Sequence, residues 1–311
     1  MYNIGIDLGG TNIKIGVVDS GYNIVGKSSI KTAMPRSPEE IASSIAEGVT
    51  NLCKSNAINN IGIGTPGMVD SKTGFVLNAT NLNFNNVPLG KMLSQKLNKK
   101  VFVENDANAA AYGEYLAGAG KSFKERGITS AVVITLGTGV GCGIIIDGKI
   151  FSKGSEVGHT VIVKDGVSCK CGRGGCFESY CSATGLIRMT KEVMEKNPDS
   201  KLWKFAKTFD DVNGKTAFDA MRKGDLAASI LVNNFIEYLG CGITNIVNIF
   251  RPGLVLIGGG LSNEGDAIIG PLTEYVEREA FYADPGNFTK IGVAELGNDA
   301  GIIGASFLNQ L

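Results

Sequence analysis

The chain has 311 residues, of which 43% are hydrophobic and 19% charged, a composition that can bury a core and argues against disorder. The charges of its 30 basic and 30 acidic residues cancel, so the chain lacks the net positive charge that is typical of a nucleic-acid-binding protein. A single histidine leaves little room for a histidine-rich metal site or a conventional catalytic triad. Glycine is in excess, with 43 residues against a usual frequency of roughly 7%, which indicates many turns or close backbone approaches.

The N-terminal residues run directly into a strand-like segment, without the basic and long apolar regions of a signal peptide. We find no stretch of about 18 uncharged apolar residues. These features predict a cytoplasmic protein with no membrane span.

Hydrophobic periodicity in the first third of the chain predicts alternating strands and helices. Residues 2–18 form two β-branched runs around a Gly-Gly pair and predict a hairpin, which a strand near 22–31 follows. Further elements are expected in this order: a helix at 38–54, a strand at 61–63, a helix at 88–98, a strand at 101–103 and a helix at 106–116.

The hairpin pattern returns about 128 residues later, at 131–146, and indicates two related halves. Glycine-rich residues 118–127 are a plausible boundary between them. The second half contains a cysteine-rich loop and then helical sequence at 184–250, including a long apolar helix at 225–249. A buried strand at 254–257 and a closing helix at 299–311 complete the prediction.

The two glycine turns are candidate phosphate loops, because successive backbone N–H groups without a nearby Cβ form anion-binding concavities. Two ordinary tight hairpins are the alternative. Their matching contexts, and Asp7 at the end of the first strand, favour a nucleotide held between two hairpins. The turns contain Gly9, Gly10 and Thr11 in the first half and Gly137, Thr138 and Gly139 in the second.

Two other glycine motifs fail on their context. The segment 62–67 has the spacing of a dinucleotide-binding turn, but an extended segment follows it where a helix is required. The segment 118–122 ends like a P-loop, but Tyr115 stands where that motif needs glycine.

Three cysteines and the only histidine form a candidate zinc site. His159 lies ten residues before Cys169, and Cys171 and Cys176 follow in a glycine-rich loop. Three thiolates and one imidazole make a complete tetrahedral set, typical of structural Zn²⁺. The alternative is a loop with reduced thiols and a core histidine.

Two carboxylates lie close to this loop in sequence. Glu156 precedes the histidine by three positions, and Glu178 follows the last cysteine by two. Held by a zinc loop, they would suit a ligand with many hydroxyl groups, such as a sugar. Two surface glutamates are the alternative.

Asn105 and Asp106 stand where a strand ends and a helix begins. Asp106 could be the N-cap of that helix. A carboxylate in this position is also well placed to accept a hydroxyl proton as a general base. The spacing does not decide between these interpretations.

Together these motifs resemble the ROK family of sugar kinases and repressors, within the actin/hexokinase/Hsp70-like superfamily. The resemblance covers essentially the whole chain, and the cysteine motif with its upstream E-x-G-H is highly specific to the family. The ROK repressors carry an additional N-terminal helix-turn-helix, so this chain resembles the kinase branch. The motifs are Asp7–Thr11, Gly64–Gly67, Asn81-Leu82 with 87–89, Glu104–Asn108, Thr135–Gly139, Glu156–His159, Cys169–Glu178 and Asp299–Gly304.

The resemblance implies an α/β fold of two ribonuclease-H-like lobes around a cleft, with mixed sheets flanked by helices. The N-terminal lobe is expected to comprise residues 1–117 and 299–311. The C-terminal lobe, residues 118–298, would hold the zinc loop and nucleotide-binding elements. Members of the family are commonly dimers, so a homodimer is expected.

The resemblance also implies roles for individual residues. Asp106 matches the general base, and Asp7 would hold Mg²⁺. The two glycine turns match the ATP phosphate loops, and Gly258, Gly259 and Gly260 lie near the adenosine. His159 would serve both zinc and the sugar. The residues expected to bind the hexose are Gly67, Asn81, Asn105, Asp106, Glu156, His159 and Glu178. Ser155 departs from the glycine that many members have before this glutamate.

The implied reaction is phosphoryl transfer from Mg-ATP to the 6-hydroxyl of a hexose, most commonly glucose in kinases of this size. N-acetylmannosamine and fructose kinases share the same residues and are alternatives. A non-catalytic sugar-sensing regulator is an alternative of a different class. The absent DNA-binding extension and the intact Asp106 count against it.

Overall fold

A computed structural model describes residues 2–53, 58–281 and 288–310. The residues separate into two compact units, of which the first comprises 1–131, 143–155 and 295–311 and the second 132–142 and 156–294. The first unit therefore also contains residues 118–131 and 143–155, which we expected in the second lobe. Residues 118–127 include a short helix and lie inside the first unit.

Thirteen strands are present in the described part of the chain. They form two five-stranded sheets and one three-stranded sheet, with orders β3-β2-β1-β4-β8, β11-β10-β9-β12-β13 and β5-β6-β7. The strands are β1 (Tyr2–Leu8), β2 (Asn12–Val18), β3 (Ile24–Lys31), β4 (Ile58–Thr65), β5 (Met68–Asp70), β6 (Phe75–Ala79), β7 (Phe84–Val87), β8 (Val101–Asn105), β9 (Ala131–Leu136), β10 (Val140–Ile146), β11 (Lys149–Ile150), β12 (Leu254–Gly258) and β13 (Lys290–Val293).

Eleven α-helices are present in the same ranges, and short 3₁₀ turns connect several of them. The helices are α1 (Pro38–Leu52), α2 (Leu89–Leu97), α3 (Asp106–Ala117), α4 (Lys121–Glu125), α5 (Phe177–Cys181), α6 (Ala183–Lys196), α7 (Leu202–Phe205), α8 (Thr216–Arg222), α9 (Leu226–Phe250), α10 (Asp266–Glu279) and α11 (Ala300–Ser306).

The first sheet combines antiparallel and parallel strands. β1 pairs antiparallel with β2, and β2 with β3, whereas β4 lies parallel to both β1 and β8. Its apolar side chains form one core with α1 and α2. This arrangement confirms the mixed α/β class with sheets flanked by helices. Its last strand, β8, lies at the edge of the sheet and leads directly into α3.

The closing helix α11 belongs to the first unit, as predicted, and packs on α3 and β1. The backbones approach closely here, because a Cβ added at Gly5 would collide with the carbonyl of Ile302, and one at Gly62 with that of Ala305. Some of the many glycines therefore allow a helix to pack closely on the sheet in the first unit.

Helix α9 lies in the second unit, at the position predicted for the long apolar helix. Among the described helices, it is the one that is long and apolar enough to cross a membrane by length and composition. Half of its most apolar window is buried inside the protein.

Candidate functional site

The first glycine turn is a rigid hairpin at the end of β1. The N–H of Gly9 donates to the carbonyl of Asn12 at 2.9 Å. Thr32, which directly follows β3, secures the turn with two hydrogen bonds. Its hydroxyl donates to the Gly9 carbonyl at 2.6 Å, and its N–H donates to the Thr11 carbonyl at 2.9 Å. Gly10 and Thr11 are exposed at the tip. The predicted hairpin is confirmed, and its tip is exposed to solvent, where an anion could reach it.

Asp7 pairs with a lysine that the sequence interpretation missed. The strand register places Asp7 opposite Lys14, and the Lys14 Nζ lies 3.1 Å from the Asp7 Oδ2. Both side chains are about one quarter exposed, at 29% and 23% for Lys14 and Asp7. The hairpin alone could have identified this neighbour, because antiparallel register pairs the residues on either side of the turn.

Asn105, and not Asp106, caps helix α3. The Asn105 Oδ1 accepts hydrogen bonds from the N–H groups of Ala107 at 2.9 Å and Asn108 at 3.2 Å. Its Nδ2 donates to the carbonyl of Gly67 at 3.0 Å. The N-cap interpretation of Asp106 is therefore wrong, because its neighbour occupies that position.

Asp106 is the first residue of α3 and is half-buried. Its Oδ1 accepts a hydrogen bond from the Ala107 N–H at 2.9 Å. The helix N-terminus favours a negative charge at this point. The structure therefore holds a carboxylate in a fixed orientation one residue after the cap.

A buried carboxylate that the sequence interpretation did not assign lies behind this cap. Glu104 is 3% exposed, and its Oε1 accepts from the Asn105 N–H at 2.8 Å and from the Asn108 Nδ2 at 3.0 Å. Its Oε2 accepts from the Ser71 hydroxyl at 2.6 Å. The Asn108 Oδ1 accepts from the hydroxyl of Ser155, at 3.3 Å. Glu104 thus fixes the residue that caps the helix.

Gly67 and Asn81 also lie in the first unit. Gly67 has φ +95°, and an added Cβ would collide with the carbonyl of Asn78 and lie 2.7 Å from the Ala79 Cβ. Asn81 is exposed beside the first hairpin, and a Cβ added at Gly10 would lie 3.7 Å from its own Cβ. Asn81, which was expected to bind the hexose, therefore lies beside the predicted phosphate turn.

The second glycine turn joins β9 to β10 and is secured by α6. The Gly137 N–H donates to the Gly139 carbonyl at 3.0 Å, and the Gly137 carbonyl accepts from the N–H of Ala183 at 2.8 Å. The Thr184 hydroxyl donates to the carbonyl of Thr138, also at 2.8 Å. The helix N-terminus thus holds the turn from outside.

Glu178 contacts this same turn. Its Oε2 accepts from the N–H of Val140 at 2.9 Å, and a Cβ added at Gly139 would collide with the carboxylate. A side chain at 139 would therefore have to displace the Glu178 carboxylate. The predicted sugar-side carboxylate and the predicted phosphate turn are in direct contact within the second unit.

The four predicted zinc ligands converge. The ligand atoms of His159, Cys169, Cys171 and Cys176 all lie within 4.8 Å of one another. The Cys169 Sγ lies 3.6 Å from the His159 Nδ1, and the Cys171 Sγ lies 3.6 Å from that of Cys176. Four soft ligands at these separations fit one tetrahedral ion such as Zn²⁺.

Tight turns shape the loop around these ligands. The N–H of Cys169 donates to the carbonyl of Arg173 at 2.7 Å, and Gly172 and Gly175 have φ values of +89° and +81°. A backbone hydrogen bond at Arg173 lowers the pKa of the Cys171 thiol, whereas burial raises that of Cys176 to about 12. A cation bound among them would favour the thiolate of Cys176, which burial opposes.

Glu156 begins the turn that carries the histidine. Its carbonyl accepts from the N–H of His159 at 3.0 Å, and its side chain is exposed. Burial, and secondarily the charge of Glu156, raises the pKa of the Cys142 thiol. Cys142 is therefore a neutral, buried packing residue.

The triple glycine lies beside the second glycine turn. Gly258 ends β12, and Gly259 has φ +83°; a Cβ there would collide with the backbone of Leu136, at the end of β9. Gly260 has open space around it. The predicted adenosine segment and the second predicted phosphate turn are therefore neighbours in one unit.

The predicted residues thus form one group in each unit. The first unit contains the first hairpin, Asp7, Gly67, Asn81, Asn105 and Asp106. The second contains the second hairpin, the triple glycine, Glu156, Glu178 and the histidine–cysteine cluster.

Comparison with known proteins identifies relatives along the whole chain. The model of the ROK family matches residues 3–310. A glucokinase from Thermotoga maritima is 35% identical over 308 residues, which are 97% of this chain and 95% of its own. A xylose repressor from Caldicellulosiruptor bescii is 34% identical over 252 residues, 79% of this chain and 61% of its own.

A solved structure shows the same fold at similar identity. The ROK family glucokinase from Streptomyces griseus, in complex with glucose and AMPPNP, is 34% identical. The alignment covers 100% of both chains with a TM-score of 0.80.

Proposed function

Because the chain belongs to the ROK family, we propose that it is an ATP-dependent hexose kinase that converts glucose to glucose 6-phosphate. The prediction of a sugar kinase from the sequence agrees with the similarity to glucokinases along the whole chain. The observation that carries the proposal is the pairing of Asn105 as helix cap with Asp106 as the adjacent, oriented carboxylate.

In this proposal Asp106 accepts the proton of the sugar hydroxyl as its oxygen attacks phosphorus. Because phosphoryl transfer has a loose transition state, the protein mainly positions the reactants and balances their charge. Asn105 contributes through its hydrogen bonds to the start of α3 and to Gly67, which link the base to the predicted sugar loop. A general base of this kind typically contributes a factor of about 10² to 10⁴.

The two hairpins would bind the phosphates of ATP through backbone N–H groups. Asp7 fits a Mg²⁺ ion, since Mg²⁺ is commonly bound by one or two carboxylates together with substrate phosphates. Lys14, 3.1 Å from Asp7, adds a positive charge beside the same hairpin. When bound, Mg²⁺ would neutralise charge on the transferring phosphate.

The second unit would bind the sugar through Glu156, His159 and Glu178. The histidine–cysteine cluster fits a structural Zn²⁺, which would fix the orientation of the His159 ring. Glu178 has one oxygen on the Val140 N–H, so a sugar hydroxyl would bind its other oxygen. In these assignments the zinc loop would position the side chains that bind the sugar.

The test is Asp106→Asn, measured by ADP release with Mg-ATP and glucose and by calorimetric binding of glucose. We expect turnover to fall by roughly 10²-fold or more with glucose binding retained, because the base is lost and the shape is kept. Asp147→Asn is the matched control, since Asp147 is exposed in a turn with φ +53° that asparagine tolerates. Near wild-type turnover in Asp106→Asn would refute the base.

A hexose panel distinguishes the remaining alternatives. ADP release with glucose, N-acetylmannosamine and fructose identifies the preferred sugar. Turnover with fructose or N-acetylmannosamine and none with glucose would contradict the choice of glucose. Sugar binding without turnover on any of the three would contradict the kinase and favour the sensor, a possibility raised by the similarity to a repressor.

A further inference from the structure

The first unit contains a cavity outside the residues assigned above to ATP and glucose. Its volume is about 560 Å³, within the range of small-molecule sites. Val101 and Val103 of β8, Ile150 of β11 and Leu308 form an apolar floor, and all four are buried. We refer to it as the lysine pocket, after the four lysines that line it.

The lysines come from four different elements. Lys72 follows β5, Lys91 lies on α2, Lys100 precedes β8 and Lys149 begins β11. None of them forms an ion pair with a residue in the described ranges. Lys72 is close enough to Asp70 to contribute, after the Thr73 hydroxyl, to the lowered pKa of that carboxyl, and the Lys100 Nζ lies 4.5 Å from the centre of the Phe102 ring. The chain as a whole has no net charge, so four lysines around one cavity that has a single carboxylate in its lining are a local excess of positive charge. Such a wall favours a ligand with more than one negative charge.

The pocket contains one carboxylate, and its oxygens are already engaged. Glu104 accepts hydrogen bonds from Asn105 N–H, Asn108 Nδ2 and the Ser71 hydroxyl, as described above. Its Oε1 therefore faces the start of α3, and its Oε2 faces the Ser71 hydroxyl. The Ser71 oxygen retains acceptor capacity and lies on the pocket wall.

The edge of β8 lines the pocket. The N–H of Val101 donates to the Ser94 hydroxyl, and that of Asn105 to the Glu104 carboxylate, so neither is used in pairing with β4. Backbone N–H groups alternate in direction along a strand, so the N–H of Val103 points to the same free edge.

Hydroxyl groups complete the wall. Ser71, Thr73, Ser94 and Ser152 all line the cavity. Hydroxyl groups over an apolar floor suit the polar edges and C–H faces of a sugar ring, and the lysines suit a phosphate.

We propose that the lysine pocket binds a phosphorylated sugar and transmits its occupancy to Asn105 through Ser71 and Glu104. The choice of a sugar phosphate rests on the proposed function, because that reaction releases one. The positive charge of the pocket does not depend on the proposed function. A phosphate oxygen that accepts the Ser71 O–H competes with Glu104 for that hydrogen, and Glu104 is the residue that holds the backbone N–H of Asn105. Product would thereby alter the orientation of Asp106 from outside the catalytic site.

The direct test is protection of lysines from reductive methylation in the wild-type protein, read by mass spectrometry. The probes are glucose 6-phosphate, inorganic phosphate and glucose. We expect glucose 6-phosphate to protect Lys100 and Lys149 more strongly than the other two probes. Lys99 and Lys153, which are exposed and do not line the pocket, should be labelled equally throughout. Unchanged labelling of Lys100 and Lys149, or equal protection by inorganic phosphate, would overturn the proposal.

A matched pair of variants tests the same site by function. Lys100→Gln with Lys149→Gln removes two pocket charges, and Lys99→Gln with Lys153→Gln removes two charges outside it. At saturating ATP and glucose, glucose 6-phosphate should lower kcat of the wild type and of the control pair. The pocket pair should need at least tenfold more, because a lost charge-assisted hydrogen bond costs about a factor of ten. Equal sensitivity of all three would contradict the pocket.

These outcomes separate the pocket from the catalytic proposal. Lysine protection requires no turnover, so a protected pocket in an inactive protein would refute the kinase alone. An active kinase with unprotected lysines would refute the pocket alone.

Discussion

Removal of the Asn105 side chain tests whether one residue organises the candidate base. Asn105→Ala removes the bonds to the Ala107 and Asn108 N–H groups and the bond to the Gly67 carbonyl. Loss of an N-cap typically costs about 1 kcal/mol, and a further hydrogen bond also contributes about 1 kcal/mol. The expected loss is therefore about 2 kcal/mol of local stability, or roughly a thirtyfold rise in the opening equilibrium of the first turn.

Hydrogen-exchange mass spectrometry of peptides spanning 101–117 measures this opening directly. It is preferable to fluorescence, because the only tryptophan, Trp203, lies in the second unit. We expect about thirtyfold faster exchange at the start of α3, with little change in the second unit. Turnover should fall as well, since Asp106 loses its fixed orientation.

Asn105→Asp separates the cap from the link to the sugar loop. Aspartate is also a strong N-cap, so exchange at α3 should remain close to wild type. It lacks the amide donor to Gly67 and adds a charge beside Asp106, so turnover should still fall. Unchanged exchange in Asn105→Ala would refute the role of Asn105 as the organising cap.

Three further changes test other parts of the structure. Gly67→Ala should raise the KM for glucose, because its φ of +95° and its contact with Asn78 leave no room for a Cβ; glucose kinetics provide the test, and an unchanged KM would contradict the role of this turn. The four-ligand set predicts roughly one zinc ion per chain. Cys176→Ser should bind much less zinc than this, whereas the control Cys53→Ser should bind as much as the wild type. Atomic emission spectroscopy measures the zinc content, and equal zinc in both variants would argue against the site. Burial raises the pKa of Tyr112 to about 12, so the folded state retains this proton more tightly than the unfolded state. The free energy of unfolding should therefore fall as the pH rises from about 10 to 12. Urea titrations measure this, and Tyr112→Phe should lessen the fall.

Local sequence patterns predicted the two hairpins and the metal cluster well. Each hairpin has β-branched runs on both sides of a glycine turn, and that information lies within about 16 residues. The four predicted zinc ligands are confirmed as spatial neighbours because a short glycine-rich loop leaves them few ways to separate.

Contacts between distant segments were beyond the reach of these patterns. Ser71 and Glu104 are 33 positions apart, and Glu178 bonds to a strand 38 positions before it. Neither pairing follows from a spacing in the sequence. Three short strands, β5 to β7, were also not predicted individually, because runs of three to five residues carry little periodic signal.

The distinction between Asn105 and Asp106 required hydrogen-bond geometry. Both residues are good caps by type, and they are adjacent in sequence. Only the direction of the Asn105 Oδ1 towards two N–H groups assigns the cap to it. The candidate base could therefore be located from the sequence, but its alternative role could be excluded only from the structure.

Phosphorus NMR of the reaction products tests the central claim most directly. The protein is incubated with Mg-ATP and glucose, and the new phosphomonoester is assigned by its coupling to the sugar protons. We expect glucose 6-phosphate and ADP in equal amounts. Release of ADP without a phosphorylated sugar, or a phosphate at another hydroxyl, would contradict it.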